Sequence, residues 1–467
     1  MKFRLAEIEV SDDDPFKHDS LQREDVVEFV GNLIKQLEGP FVLALDSPWG
    51  TGKTTVVNML RAVLKKDKYT TVYFNAWKED YVSDPLIPMV AAIDDIKIAQ
   101  DGADGVFQKR MATVKKVAST FAKRGLVAGV KVGTMGVLDL DKVQEDVLSN
   151  ESGKAAEDLI ESFKKEKRSL EKFRESLEEA VQAIGEGESQ HSLVFFIDEL
   201  DRCRPSFAIE LLERVKHLFD VKNIVFVLSI DKKQLEAITA AVYGERIDAL
   251  EYLRRFIDLD FSLPQPHTKI YTRELVKRFE LKKFFDDRKS QSSFAYDYDH
   301  FVDAFTLLAA AFDLSLRVRE RCLTRLAVVL MQTPENHYLD PIVLALLIVL
   351  RLKRQDLYQG LTSGVVAPQE LMDTLRRIPA AREFFESRIA KILEAYLVVG
   401  DVISERSQKL LTEAEDLSKL GTDSEKGRRA RTLLEMSKSV GGNWGRDFSI
   451  KYVADKVDLS ERIGDFR

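Results

Sequence analysis

Short apolar runs alternate with helical patterns through the first 264 residues of the chain. Five runs have the length and continuity of strands covered on both faces: FVLAL, TTVYFNAW, the start of HSLVFFIDELDRCRP, NIVFVLSID and RRFIDLDFSLP. Between them, apolar residues recur at helical spacing. This alternation predicts βαβ units, in which parallel strands are joined by helices.

Two other parts of the chain have different patterns. From about 83 to 190, a helical stretch is followed by a glycine-rich, weakly basic one and then by a charged helix with apolar residues every seven positions. That helix either packs on its own domain or forms a helical hairpin or an arm that contacts another protein. After about 269 the pattern is almost wholly helical.

The predicted fold is therefore α/β, a parallel-sheet core with a helical insert and an all-helical C-terminal domain. The predicted boundaries are 1–82 and 191–268 for the two parts of the core, 83–190 for the insert and 269–467 for the C-terminal domain.

Composition limits the functional classes. Of 467 residues, 45% are hydrophobic and 31% charged, which is typical of a globular chain, and the net charge of -7 disfavours a mainly electrostatic nucleic-acid motor. Contact with nucleic acid stays open. Two cysteines cannot build a disulfide framework and indicate a reducing compartment, so the predicted location is cytoplasmic.

No window reaches the roughly 20 apolar residues that a membrane-spanning helix needs. The basic segment 108–131, which carries seven lysines and arginines, leaves peripheral membrane contact open.

The first candidate site is SPWGTGKTT, between the first predicted strand and a helix. Gly50 and Gly52 permit unusual backbone angles, Lys53 can reach the β- and γ-phosphates, and the Thr54 hydroxyl can hold Mg²⁺. Ser47 stands where a phosphate loop usually has its first glycine, so we expect some backbone distortion without loss of phosphate binding. The predicted nucleotide-binding residues are Pro48, Trp49, Gly50, Thr51, Gly52, Lys53, Thr54 and Thr55.

Two carboxylates end the predicted strand LVFFIDE. Ligands of parallel sheets bind at the carboxyl edge, so Asp198 is predicted to hold Mg²⁺ together with Thr54, and Glu199 to orient or deprotonate the attacking water. Asp231, after the next strand, can sense the γ-phosphate or cap the following helix.

Four stretches resemble the KAP family of P-loop NTPases: the helix DSLQREDVVEFVGNLIKQL with SPWGTGKTT, then VYFNAWKED, FFIDELDRCRP and SLRVRERCLTRL. Together they cover about residues 15–355. The resemblance implies an ATPase similar to AAA+ and STAND proteins, with ATP and Mg²⁺ as cofactors. Family members often have membrane-spanning helices in the insert. The sequence of this chain shows no pattern for such a helix there.

The resemblance also implies arginines that act on the nucleotide from a neighbouring chain or from the helical domain. Arg317 fits a residue that closes the helical domain over the γ-phosphate, and Arg254 and Arg255 are candidates for an arginine finger. An ordinary surface or carboxylate-paired role is open for all three.

Two functions follow. The first is an ATPase that drives conformational change in a multiprotein assembly, with anti-phage defence as the setting that the bacterial family implies. The second is a non-hydrolytic, ATP-gated scaffold. Both imply protein partners, such as neighbouring-gene products or further copies of this chain.

Overall fold

The computed structural model of the protein describes residues 1–4, 9–19, 21–96, 101–128, 154–185, 192–264, 268–290, 294–334, 337, 339–400, 405–419, 425–443 and 450–459. Contacts divide the chain into two compact units. The first comprises Ile8–Asp19 and Arg23–Gln265, and the second comprises Met1–Glu7, Ser20–Gln22 and Pro266–Arg467.

The first unit contains a five-stranded, all-parallel sheet. Its strands are β1 (Phe41–Asp46), β2 (Thr71–Asn75), β3 (Leu193–Asp198), β4 (Ile224–Ile230) and β5 (Leu259–Ser262). Their order across the sheet is β2-β3-β4-β1-β5. The predicted α/β class with a parallel sheet is confirmed. Because all strands run in one direction, their carboxyl ends meet at one edge.

Helices cover both faces of this sheet. They are α1 (Glu24–Gln36), α2 (Lys53–Lys66), α3 (Ala76–Glu79), α4 (Leu86–Asp94), α5 (Asp101–Ala128), α6 (Lys154–Gly185), α7 (Pro205–His217), α8 (Lys232–Tyr243) and α9 (Ala249–Leu253). Alternate residues of each strand point to opposite faces. Leu43 and Phe196 pack with α1 and α2, whereas Ala44 and Phe195 pack on the side of α4 to α8. This burial on both faces explains the unbroken apolar runs.

The described part of the insert is mainly helical, as predicted. The glycine-rich stretch contains a 28-residue helix, α5, which pairs with α6. Phe107 of α5 and Phe173 of α6 are fully buried in the sheet-side core, so the base of this pair packs on its own unit. The side chains of Ala156 and Phe163, at the start of the predicted seven-residue repeat, lie outside the described residues.

The helical pattern of the sequence between Lys232 and about Tyr252 forms two helices, since α8 ends at Tyr243 and α9 begins at Ala249. Gly244 separates them with φ +94°, a conformation that side-chain-bearing residues rarely adopt.

The second unit is helical throughout its described residues. After α9 come α10 (Thr268–Arg278), α11 (Lys282–Arg288), α12 (Asp297–Ala311), α13 (Leu316–Met331), α14 (Pro341–Lys353), α15 (Gln355–Thr362), α16 (Pro368–Arg376), α17 (Arg382–Glu386), α18 (Arg388–Gly400), α19 (Glu405–Lys419), α20 (Glu425–Asn443) and α21 (Ile450–Asp458). The apolar run PIVLALLIVL is the buried part of α14, at the centre of this unit's core. Among the described helices, none combines the length and the apolar character that crossing a membrane requires.

Candidate active site

The loop from Ser47 to Gly52 joins β1 to α2 at the carboxyl edge of the sheet. Gly50 and Gly52 have φ of +76° and +87°, so both positions need the freedom of glycine. Ser47 is outside this left-handed region. Its hydroxyl donates to Oγ1 of Thr51 at 2.8 Å, and that hydroxyl donates to the Pro48 carbonyl at 2.8 Å. The serine therefore stabilises the loop turn with a side-chain contact, and the expected backbone distortion stays a prediction.

Lys53 begins α2 and folds back over the loop. Its ammonium donates to the Ser47 carbonyl at 2.5 Å and, more weakly, to that of Pro48 at 3.4 Å. The side chain is only 10% exposed. Burial lowers the pKa of Lys53, and the nearby carboxylates of Asp201, Asp231 and Asp198 oppose that shift. The ammonium thus lies among acceptors that it can exchange for phosphate oxygens.

Asp198 ends β3 next to the start of α2. Its Oδ2 accepts hydrogen bonds from the Thr54 hydroxyl at 2.7 Å and from the Tyr73 hydroxyl at 3.1 Å. Burial, together with the Asp198 charge, raises the pKa of Tyr73, so this phenol stays a donor. Thr54 and Asp198 bring together a hydroxyl and a carboxylate, which are oxygen ligands of the kind Mg²⁺ uses beside phosphates. The residues present therefore fit Mg²⁺.

Glu199 follows Asp198 and is held on both oxygens. Its backbone lies in the left-handed region, with φ +60°. Oε2 accepts from the Asn75 amide at 3.1 Å, and Oε1 pairs with the Arg202 guanidinium at 2.5 Å. That guanidinium also lies over the Trp77 ring, 5.6 Å from its centroid.

Asp231 faces the phosphate loop. Its Oδ2 accepts the backbone N–H of Trp49 at 3.3 Å. Although Asp231 precedes α8, its side chain makes no capping hydrogen bond there. The capping alternative is therefore not realised. The neighbouring Ser229 hydroxyl is fully buried and without a hydrogen-bond partner within the described structure.

Within the described structure, the two candidates for an arginine finger do not contact the loop residues above. Arg254 is exposed and pairs with Glu251, and Arg255 is exposed and lies over Tyr252. Arg317 belongs to the second unit, where it is the exposed second residue of α13. The apolar face of that helix is buried at Leu316, Cys322, Leu323 and Leu326 and half-buried at Val318. Roles for these arginines stay predictions.

The basic segment is partly neutralised. Arg110 pairs with Glu179 at 2.9 Å and Lys115 with Asp94 at 2.9 Å, whereas Lys109 and Lys116 are exposed. The remaining basic side chains, Lys123, Arg124 and Lys131, lie outside the described residues.

Sequence reasoning missed several contributors. It gave no role to Tyr73, Asn75, Asp201 or Arg202, and it treated Trp49 only as a loop residue. The one available signal was position, because β2 and the turn after β3 both end at the nucleotide edge. Cys203, in the turn after β3, is buried, and that burial raises the pKa of its thiol.

Comparison with known families agrees with this arrangement. Residues 23–371 match the model of the KAP family P-loop domain. The chain belongs to the KAP family. The match covers the whole sheet and extends into the helical second unit, and it makes this a P-loop NTPase-type chain rather than another α/β fold.

A curated relative of the KAP chain gives a more distant comparison. Over 258 residues, or 52% of the chain, it is 22% identical to the phage T7 exclusion protein of Escherichia coli (strain K12). The aligned part is 33% of that protein, so the chain spans about a third of the length of the relative it matches.

Proposed function

We propose that this KAP-family chain is an ATPase that couples Mg-ATP binding and hydrolysis to conformational change in a multiprotein assembly. The observation that carries the proposal is the 2.7 Å contact between Thr54 and Asp198, directly beside Lys53 and Glu199. A phosphate lysine, two oxygen ligands for a metal ion and a candidate base thus share one edge of the sheet.

The residues divide the work as follows. The N–H groups after Gly50 and the start of α2 surround the phosphates, with the helix terminus adding partial positive charge. Lys53 leaves the carbonyls of Ser47 and Pro48 for phosphate oxygens. Thr54 and Asp198 would hold Mg²⁺, which would neutralise charge on the phosphates. Glu199 orients the attacking water and accepts its proton.

Glu199 needs a free oxygen for this step. Both of its oxygens are engaged, by Asn75 and by Arg202. Hydrolysis therefore requires one of these contacts to open. The same observation favours the second candidate, a non-hydrolytic, ATP-gated scaffold in which Glu199 stays bound to its two partners.

The proposed setting is anti-phage defence. It is supported by family membership and by the printed name of the relative, a phage exclusion protein. Protein partners, including further copies of the chain, and a cytoplasmic location belong to the same proposal. ATP is preferred over GTP because the sequence has no Asn-Lys-x-Asp guanine signature.

The deciding experiment is Glu199→Gln. It should retain ATP binding and slow phosphate release by roughly 10²–10⁴-fold, the loss typical of a missing general base. Glu274→Gln is the matched control, since Glu274 also pairs with a cation three residues on, Lys277, in the second unit. Wild-type turnover by Glu199→Gln would refute the role of Glu199 as base, and full activity in excess EDTA would refute the role of Mg²⁺. ATP binding without turnover by the wild type would remove the ATPase mechanism and leave the scaffold.

A further inference from the structure

A third carboxylate, Asp201, lies at the centre of the loop contacts. Its side chain is 1% exposed. One oxygen, Oδ2, accepts the indole N–H of Trp49 at 2.6 Å and the backbone N–H of Asp231 at 2.8 Å, and lies 3.8 Å from the Lys53 ammonium. These partners come from the phosphate loop, the end of β4 and the start of α2.

We propose that Asp201 is the positioning residue of the phosphate loop, holding Trp49 and Lys53 in place for the triphosphate. The other two carboxylates have different partners. Asp198 accepts hydrogen bonds from Thr54 and Tyr73. Glu199 contacts Asn75 and Arg202. Of the measurements that test this inference, only that of ATP affinity rests on the proposed function.

The contact geometry explains why one carboxylate can order the loop. Trp49 is held at two points, by its ring N–H on Asp201 and by its backbone N–H on Asp231. Asp231 is itself held by its own backbone N–H on Asp201. Trp49 precedes Gly50, whose freedom would otherwise let the loop take many shapes. A loop ordered before binding loses less entropy when phosphate arrives.

The presence of the negatively charged Asp201 near a phosphate site also requires a physical explanation. Asp201 contributes a charge-assisted acceptor at close range to the ammonium and to two N–H donors. A buried carboxylate without such partners would be unfavourable. The three contacts compensate for its burial, and they direct Lys53 toward the loop and away from solvent.

The test uses Trp49 as its own reporter. In the full chain carrying Trp77→Phe and Trp444→Phe, the single remaining tryptophan is Trp49. Asp201→Ala should change Trp49 emission in the absence of nucleotide and raise the ATP dissociation constant about tenfold or more, the factor expected from losing a charge-assisted hydrogen bond. Asp201→Asn retains an acceptor oxygen and should restore the emission and part of the affinity.

A second pair of variants covers the case in which Asp201→Ala does not fold. Trp49→Phe removes the indole donor while retaining an aromatic ring, and it should weaken ATP binding severalfold in calorimetry. When it is combined with Asp201→Asn, the loss of ATP-binding free energy should be smaller than the sum of the losses in the two single variants, because both changes act through one contact. Asp84→Asn, which breaks an ion pair with Arg214 elsewhere in the first unit, controls for general destabilisation.

The outcomes separate the two proposals. If the wild type binds ATP and neither Asp201→Ala nor Trp49→Phe changes affinity beyond Asp84→Asn, the positioning role is refuted. If the wild type binds no ATP, the proposed function fails, and the nucleotide-free Trp49 emission alone decides about Asp201: an altered spectrum supports the positioning role, and an unchanged one refutes it.

Discussion

Replacing Lys53 by Met tests the site most directly, because Met keeps an unbranched apolar stem and removes only the ammonium. In the nucleotide-bound state that ammonium is expected to contact two phosphate oxygens. At about 1.5–3 kcal/mol for each hydrogen bond between charged groups, the loss is roughly 3–6 kcal/mol, or two to four orders of magnitude in affinity.

The same change affects the nucleotide-free protein. It removes the donor to the Ser47 carbonyl and the partner 3.8 Å from buried Asp201. Because Asp201 retains its hydrogen bonds from Trp49 and Asp231, the free energy of unfolding should fall by about 2–3 kcal/mol, near the low end for a broken buried ion pair.

Two measurements separate these effects. Isothermal calorimetry with Mg-ATP reports the affinity, and urea unfolding without nucleotide reports the stability. Adding Asp201→Asn to Lys53→Met should recover part of the stability, since the unpaired charge is gone, without recovering ATP affinity. Wild-type ATP affinity in Lys53→Met would show that the lysine does not bind phosphate and would refute the assignment of the loop.

Three further predictions follow from other residues. Ser47→Gly should lower the free energy of unfolding by about 1–2 kcal/mol, through the lost hydroxyl contact with Thr51 and a more flexible unfolded chain, with little effect on ATP affinity; a large loss of affinity would contradict this. Burial raises the pKa of Asp297 from 3.8 to about 7, with Asp340 adding to the shift and Arg288 opposing it. The folded state therefore binds a proton that the unfolded chain has lost, and its stability falls as pH rises from about 4 to 7. In urea unfolding, the wild-type free energy of unfolding should be roughly 2–3 kcal/mol higher at pH 5 than at pH 8, and Asp297→Asn should remove that difference. Arg317→Ala should weaken ATP more than ADP if this always-charged residue contacts the γ-phosphate; equal effects on both nucleotides would make it an ordinary surface charge.

The α/β class and the contiguous parts of the site were predictable because their signals are local. Strands buried on both faces require unbroken apolar runs, as in Phe41–Asp46 and Leu193–Asp198. A phosphate loop needs its glycines, lysine and threonine next to one another, so Gly50 to Thr54 were recognisable as a unit. Asp198 and Glu199 were predictable because a parallel strand delivers its last residues to the ligand edge.

Other features depended on contacts between distant parts of the chain. The helix Asp101–Ala128 includes two glycines in its first turns, which lower intrinsic helix propensity, and packing on α6 and the sheet stabilises it. The sheet order places β4 between β1 and β3, which strand patterns alone do not specify.

The sequence by itself thus determined which local elements the protein has and which candidate groups follow its strands. Only the tertiary structure decided how those groups are held. Asp201 is separated by 152 residues from Trp49 and by 30 from Asp231, and Glu199 by 124 from Asn75. No periodicity or motif spacing encodes such pairs, because they arise where parallel strands from different parts of the chain end side by side at one edge.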